Sequence, residues 1–290
     1  MATPTMAAPT MATPTMATPT HIITSQRLTT ALTALLAAFI WLIFMLPSSA
    51  LATANTAEQD PLNSFMWPVY RERFLGDAPV VFDERVIVRA PSFAEDSGQV
   101  PIELDASGLE ASGEPITDII AWVDLNPIPR LFHYSPMSHG LAKLSLNIRL
   151  EQASAVRVAV KQGDTWHVGG TYIEAEGGGC TTPGIAGADN DWENTFGELQ
   201  GRLFANEREQ RLRVRLSHPM DSGLIPSLPA FYVHSFELLD QQGQQVATLD
   251  IEASVSANPT LGLHMRPSPE GYVIGARDNN GNRFSIGLQP

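Results

Sequence analysis

Leu144, Leu146, Ile148 and Leu150 are spaced two apart, and Val156, Val158 and Val160 repeat the spacing a few positions on. A period of two places each set on one face of a sheet and turns neighbours such as Asn147 and Arg157 to the other. Runs at 85–90, 100–106 and 118–123 predict further strands, and Lys161-Gln162-Gly163-Asp164 is a turn into another at 165–175. Residues 61–76 follow a different rhythm. There Trp67, Tyr70 and Phe74 fall on one helical face and predict a short helix packed on the first domain. Strands in succession, with no long helices between them, read as a β-sandwich.

The pattern stops at 176–194. Gly177-Gly178-Gly179-Cys180-Thr181-Thr182-Pro183-Gly184 is followed by Gly187, Asp189 and Asp191, so little here can bury apolar area and the glycines widen backbone freedom. Beyond this break Leu212, Val214 and Leu216 alternate with Arg211, Arg213 and Arg215. Runs at 230–239 and 245–251 flank a turn at 240–244, and runs at 272–277 and 283–288 form a hairpin around Asp278-Asn279-Asn280-Gly281. The fold class is therefore all-β: two sandwich domains, the second smaller, joined by a glycine-rich segment that bears a cysteine.

The N-terminus belongs to neither domain. Residues 1–20 repeat a Met-Ala-Thr-Pro-Thr unit in which Ala8 replaces one Thr, a composition with nothing to pack and hence expected to be disordered. Arg27, an apolar stretch of 15 residues at 31–45 and small residues at 47–54 form a secretory signal, with cleavage expected after Ala52 or Ala54. Its start lies near Met16 or His21, and an uncleaved anchor is the alternative. No later stretch is long and apolar enough to span a bilayer.

Charge and cysteine usage narrow the function. The chain has 18 basic and 31 acidic residues, and removal of the leader takes away only Arg27 among them. Such a surface repels phosphate backbones and argues against nucleic-acid binding. The single cysteine, Cys180, has no internal disulfide partner. It is either a small buried hydrophobe, the usual fate of a free cysteine, or a working thiol. Three preceding glycines and the following Thr181-Thr182-Pro183 offer no bulky wall, which favours an exposed thiol on a mobile loop. Glu174 and Glu176 would raise its pKa as like charges, and no base is evident nearby, which suits a carrier activated by its partner better than a cysteine-dependent enzyme.

Other motifs are weaker. His218-Pro219-Met220 with Cys180 could form a soft copper site, but the spacing is not diagnostic, and a structural or interface histidine is the reading taken. Asn126-Pro127 and Asn258-Pro259 read as strand-end turns in which each Asn bonds its own backbone. Glu95-Asp96 reads as an acidic turn. No metal or cofactor is implied, and no phosphate-cradling loop or nucleophile elbow is present.

Taken in order, these landmarks resemble a known family. Ala94-Glu95-Asp96 before Val100-Pro101-Ile102, then Asn126-Pro127 and Gly178-Gly179-Cys180, resemble the sulfur carrier SoxY. His218-Pro219-Met220-Asp221-Ser222-Gly223, Ile225-Pro226, Asn258-Pro259 and Asp278-Asn279-Asn280-Gly281 resemble its partner SoxZ. The whole is similar to the fused SoxYZ-like carriers associated with quinoprotein dehydrogenases. The resemblance implies immunoglobulin-like sandwiches that pair within the chain, at 58–176 and 195–290, around an arm and linker at 177–194. It implies a periplasmic, non-enzymatic carrier that holds sulfur intermediates on Cys180, with Gly177, Gly178 and Gly179 as a swinging arm. Its partners would be periplasmic enzymes, either a quinoprotein dehydrogenase or sulfur-oxidising proteins. A non-covalent accessory module for such a dehydrogenase is the alternative. The chain departs from SoxY after the cysteine, where Thr181-Thr182-Pro183 replace a glycine pair and the polypeptide continues.

Overall fold

The computed structural model describes residues 59–183, 192–206 and 208–290. The repeats, the leader with its expected cleavage site, and Gly184, Gly187, Asp189 and Asp191 lie outside the described residues. Among the described residues no helix is long and apolar enough to cross a membrane.

The first half opens with helix α1 (Trp67–Tyr70), which runs on as a π-helical turn, Arg71–Leu75. Strands β1 (Val80–Phe82), β2 (Ile87–Arg89), β3 (Phe93–Ala94) and β4 (Val100–Asp105) follow, then a helical turn α2 (Ser107–Glu110). The longer strands are β5 (Ile116–Val123), β6 (Arg130–Pro136), β7 (Gly140–Ile148), β8 (Ser154–Gln162) and β9 (Thr165–Ala175). The second half contains α3 (Trp192–Thr195), β10 (Leu199–Ala205), β11 (Gln210–Leu216), β12 (Val233–Leu239) and β13 (Gln245–Ile251). It ends with β14 (Thr260–Met265), β15 (Tyr272–Asp278) and β16 (Arg283–Leu288).

These strands form two mostly antiparallel sheets, and both sheets run through both halves. One has the order β1-β9-β8-β5-β6-β13-β12-β15-β16, and the other β10-β11-β14-β7-β4-β2. The halves meet at two seams. In the first sheet Ile251, Leu249 and Ala247 pair with Phe132, Tyr134 and Pro136. In the second, Leu263 and Gly262 pair with Leu144 and Ser145. One hydrophobic core lies between the sheets and draws on both halves, from Leu104, Val158 and Ile119 to Val214, Leu249 and Ile274. The two sandwiches expected from sequence are thus laid edge to edge within one chain.

Alternation explains β7 and β11, whose inward leucines and valine are buried while their polar neighbours are half-buried or exposed. It fails for β8, which is buried on nearly every position. The cause is α1: Trp67 and Tyr70 cover the outer face of this sheet together with Trp122, Ala159, Trp166 and Val168, with Phe74 packed beside them. Arg157, expected on a solvent face, is therefore buried. Its charge is matched by Asp60 at 2.6 Å and Asp124 at 3.2 Å, and its guanidinium lies 5.0 Å from the centroid of the Trp67 ring. A buried arginine needs such partners, because an unpaired charge there would cost several kcal/mol.

Candidate functional site around Cys180

At the end of β7 the chain leaves the sheet as Arg149-Leu150-Glu151, and the glycine segment after β9 returns to lie along it. Gly178 donates its N–H to the carbonyl of Glu151 at 3.0 Å, and Gly179 donates to that of Leu150 at 3.0 Å. The Gly177 N–H reaches Ser97 Oγ at 3.2 Å, and the Cys180 N–H reaches Glu151 Oε2 at 3.1 Å. Thr181 Oγ1 adds bonds to both oxygens of Glu151, at 3.2 and 3.3 Å. The glycines are needed for close approach. A Cβ on Gly179 would overlap the Ser97 carbonyl oxygen and stand 2.7 Å from that of Leu150. A Cβ on Gly177, at φ +103°, would stand 2.6 Å from the Glu151 carbonyl oxygen.

Cys180 is 1% exposed, which overturns the expectation of an exposed thiol on a mobile loop. The wall missing from the local sequence comes from elsewhere in the chain. The thiol Sγ donates to the Arg149 carbonyl at 3.8 Å, and Ser222 Oγ from the second half donates to the Cys180 carbonyl at 3.2 Å. Burial pushes the thiol pKa up to about 12, the Glu151 carboxylate adds to the rise, and the Arg149 guanidinium opposes it. The docked sulfur is therefore a protonated thiol at neutral pH, not a nucleophile. Nor are Gly177, Gly178 and Gly179 slack here, since their N–H groups are bonded to Ser97, Glu151 and Leu150. Of the rest of the expected linker, 184–191 lies outside the described residues and 192–194 belong to α3.

Arg149 is the residue the sequence reading missed. It is 3% exposed, and burial lowers its pKa. One terminal nitrogen, Nη2, donates to the Pro219 carbonyl at 3.4 Å, while Nη1 has no hydrogen-bond partner among the described residues. A cavity of about 210 Å³ beside it is lined by Asp96, Gln99, Gly179, Thr182 and Asn258 among others. The alternation at 144–150 puts residue 149 on the outer face, and residues distant in sequence, Gly179 and Pro219 among them, cover it.

Both Asn-Pro motifs serve this site, although not through their own turns. Asn126 Nδ2 donates to the Arg149 carbonyl at 2.7 Å, and its Oδ1 accepts the Glu151 N–H at 3.0 Å. It therefore fixes the backbone on either side of Leu150. Asn258, at φ +51°, accepts the His218 N–H on Oδ1 at 3.0 Å. Glu95 and Asp96 form the expected turn, in which Asp96 accepts the Gly98 N–H.

His218 is committed inside the second half. Its Nδ1 accepts the Met220 N–H at 3.1 Å, Nε2 faces Asp278 at 3.4 Å, and the ring packs 4.5 Å from Phe231. Burial lowers its pKa to about 4, against the pull of Asp278. Met220 Sδ accepts the Val233 N–H at 3.2 Å. The donors imagined for copper are already engaged, and among the described residues no group of three or more His, Cys, Asp or Glu is placed to hold a metal.

Two family models match the two halves that meet around Cys180. The model for sulfur oxidation protein SoxY covers residues 71–180 and ends on Cys180. The model for sulphur oxidation protein SoxZ covers 204–288. This chain is a SoxY domain joined to a SoxZ domain. Membership of these families supports a general role as a sulfur carrier. No curated protein sequence matches it. Among solved structures it is similar to the sulfur carrier protein SoxY from Chlorobium limicola f thiosulfatophilum, at 17% identity over 38% of this chain and 90% of that one, with a TM-score of 0.32. A biofilm-associated protein BSP domain matches at 11% identity over 70% of this chain and 29% of that one, with a TM-score of 0.22. At these scores the structural likenesses add nothing to the family match.

Proposed function

We propose that the chain is a periplasmic carrier that holds sulfur intermediates covalently on Cys180 and is acted on by partner enzymes rather than being an enzyme itself. The observation that carries this reading is that the SoxY match closes on the chain's single cysteine. The docked geometry then represents the resting state. Loading requires residues 177–183 to leave their bed, with Gly177, Gly178 and Gly179 becoming the swinging arm. The balance is fine. The hydrogen bonds that hold the segment contribute about 0.5–1.5 kcal/mol each, whereas each released residue regains about 1–2 kcal/mol of backbone entropy.

Joining the thiol sulfur to the sulfane sulfur of a sulfur anion forms an S–S bond and releases the thiol proton and two electrons. The loading enzyme must supply the acceptor, and a quinoprotein dehydrogenase system is the partner that the fused relatives suggest. A second reading is favoured by the burial itself: Cys180 is a packing residue, and the chain is a non-covalent accessory module for such a dehydrogenase. Intact-mass analysis of protein isolated from its native host, with and without thiosulfate, separates the two. Carriage predicts sulfur or sulfonate increments that map to Cys180. An unmodified thiol in every condition, with full activity of a Cys180→Ala chain, would establish the accessory reading instead.

A further inference from the structure

The outer face of the second sheet is sorted by charge. On the first-half side its bases are matched: Arg89 pairs with Glu103 at 2.7 Å, and Lys143 lies 3.9 Å from both Asp105 and Glu209. On the second-half side Arg202, Arg211, Arg213 and Arg215 all project to solvent, and none is ion-paired among the described residues. Arg202 stands directly across from Arg213 in the antiparallel register. Like charges facing one another across strands destabilise a sheet, so their placement needs another reason. Phe204, itself 38% exposed, is held between the guanidiniums of Arg202 and Arg211, whose carbons lie 5.2 and 5.1 Å from its ring centroid.

Between the matched and unmatched charges runs a groove of about 220 Å³, lined by Arg211, Arg213, Thr260, Ser145, Asn147 and Pro101 among others. Gly262 keeps it open, because a Cβ there would overlap Ser145 Oγ. Hydrogen bonds link the rim of the groove to the cavity beside Gly179. Asn147 Nδ2 donates to Gln99 Oε1 at 3.1 Å, Gln99 Nε2 donates to the Ala257 carbonyl at 3.3 Å, and Gln99 and Ala257 both line the cavity beside Gly179.

We propose that this arginine face is the docking surface for an acidic segment of a protein partner. The chain as a whole carries a net charge of −13, so a local cluster of unmatched arginines selects for carboxylates at short range while the remaining surface repels them. The exposed Phe204, across from Arg211 on the edge strand β10, gives the segment an apolar contact at one end of the patch. Asn147, which lines the groove, bonds Gln99, which lines the cavity beside Gly179. The surface does not depend on Cys180 carrying sulfur, and a Cys180→Ser chain should dock equally well.

The test uses the full chain and a fluorescein-labelled oligoglutamate peptide, with binding followed by anisotropy. Wild type should bind at low salt and weaken as sodium chloride rises through ~0.15 M, where the Debye length is about 8 Å. The outward-facing R211E/R213E variant should bind at least about tenfold more weakly. R277E/R283E makes the same charge change on the other sheet and should bind like wild type. Equal losses in both variants, no binding by wild type, or an oligothymidylate bound as tightly as the peptide would each overturn the proposal.

Discussion

Glu151 sets the chemistry of Cys180 by acting on its backbone and its sulfur together. Its carboxylate holds the Cys180 N–H and the Thr181 hydroxyl, and the same charge helps raise the thiol pKa to about 12. An undocked thiol would titrate near the ordinary value of about 8.5. A group whose pKa is raised in the docked state favours docking fully below the undocked pKa, and that contribution is lost as pH rises from about 8.5 toward 12. Maleimide labelling should therefore be slow at neutral pH. It should keep climbing between about pH 9 and 10.5, where a free cysteine has levelled off. Labelling that follows the free-cysteine curve would show an undocked thiol. Glu151→Gln keeps one acceptor and removes the charge, and it should speed labelling roughly three- to tenfold, in keeping with a shift of half to one pKa unit.

At the scale of the element, the glycine segment is a strip fitted to its bed rather than a loose join. Gly179→Ala drives a methyl group into the Ser97 and Leu150 carbonyls and should leave the segment undocked. Thiol labelling should then approach the rate of an unfolded peptide while the melting temperature stays within a few degrees of wild type, because the core between the sheets is untouched. Gly178→Ala meets nothing within 4 Å and carries only the strain of φ +80°, so its effect should be much smaller. Equal labelling rates for the two variants would contradict this account of the fit. The sequence showed the glycines and the cysteine, but not their bed. Ser97, Leu150, Glu151 and Ser222 lie far from residue 180 along the chain, and local composition carries no information about such partners.

The whole molecule is tied by its seams. Because β6 pairs with β13 and β7 with β14, neither half closes its own sheets. A protease site placed within residues 185–190 should, once cut, leave both pieces in one gel-filtration peak with a single unfolding transition. Separation into two peaks would mean the seams are weak. These joins were the least legible part of the fold. The runs at 245–251 and 283–288 coincide with β13 and β16, but β6 and β14 were not foreseen. In β6, Leu131 and Phe132 are both buried, which spoils the alternation. In β14, Gly262 and the preceding Pro259 read as breaks. These interruptions hide in β6 and β14 the inside–outside rhythm that β7, on the other side of one seam, keeps. Arg157 was misplaced for a related reason, since a cap made by a distant helix does not register in its own strand.

If Cys180 carries sulfur, the bed that shelters it would also distinguish an empty carrier from a full one. The sulfur lies there as a neutral thiol against the Arg149 carbonyl, its pKa raised by burial and by the Glu151 charge and lowered in part by the Arg149 guanidinium. On the carrier reading, a sulfonate or persulfide anion attached to that atom meets a burial and charge penalty like the one that keeps the thiol protonated. On that reading a loaded segment would be held outside and an unloaded one would retract, so the position of the arm would report its cargo and spent carriers would withdraw from competition for the enzyme that loads them.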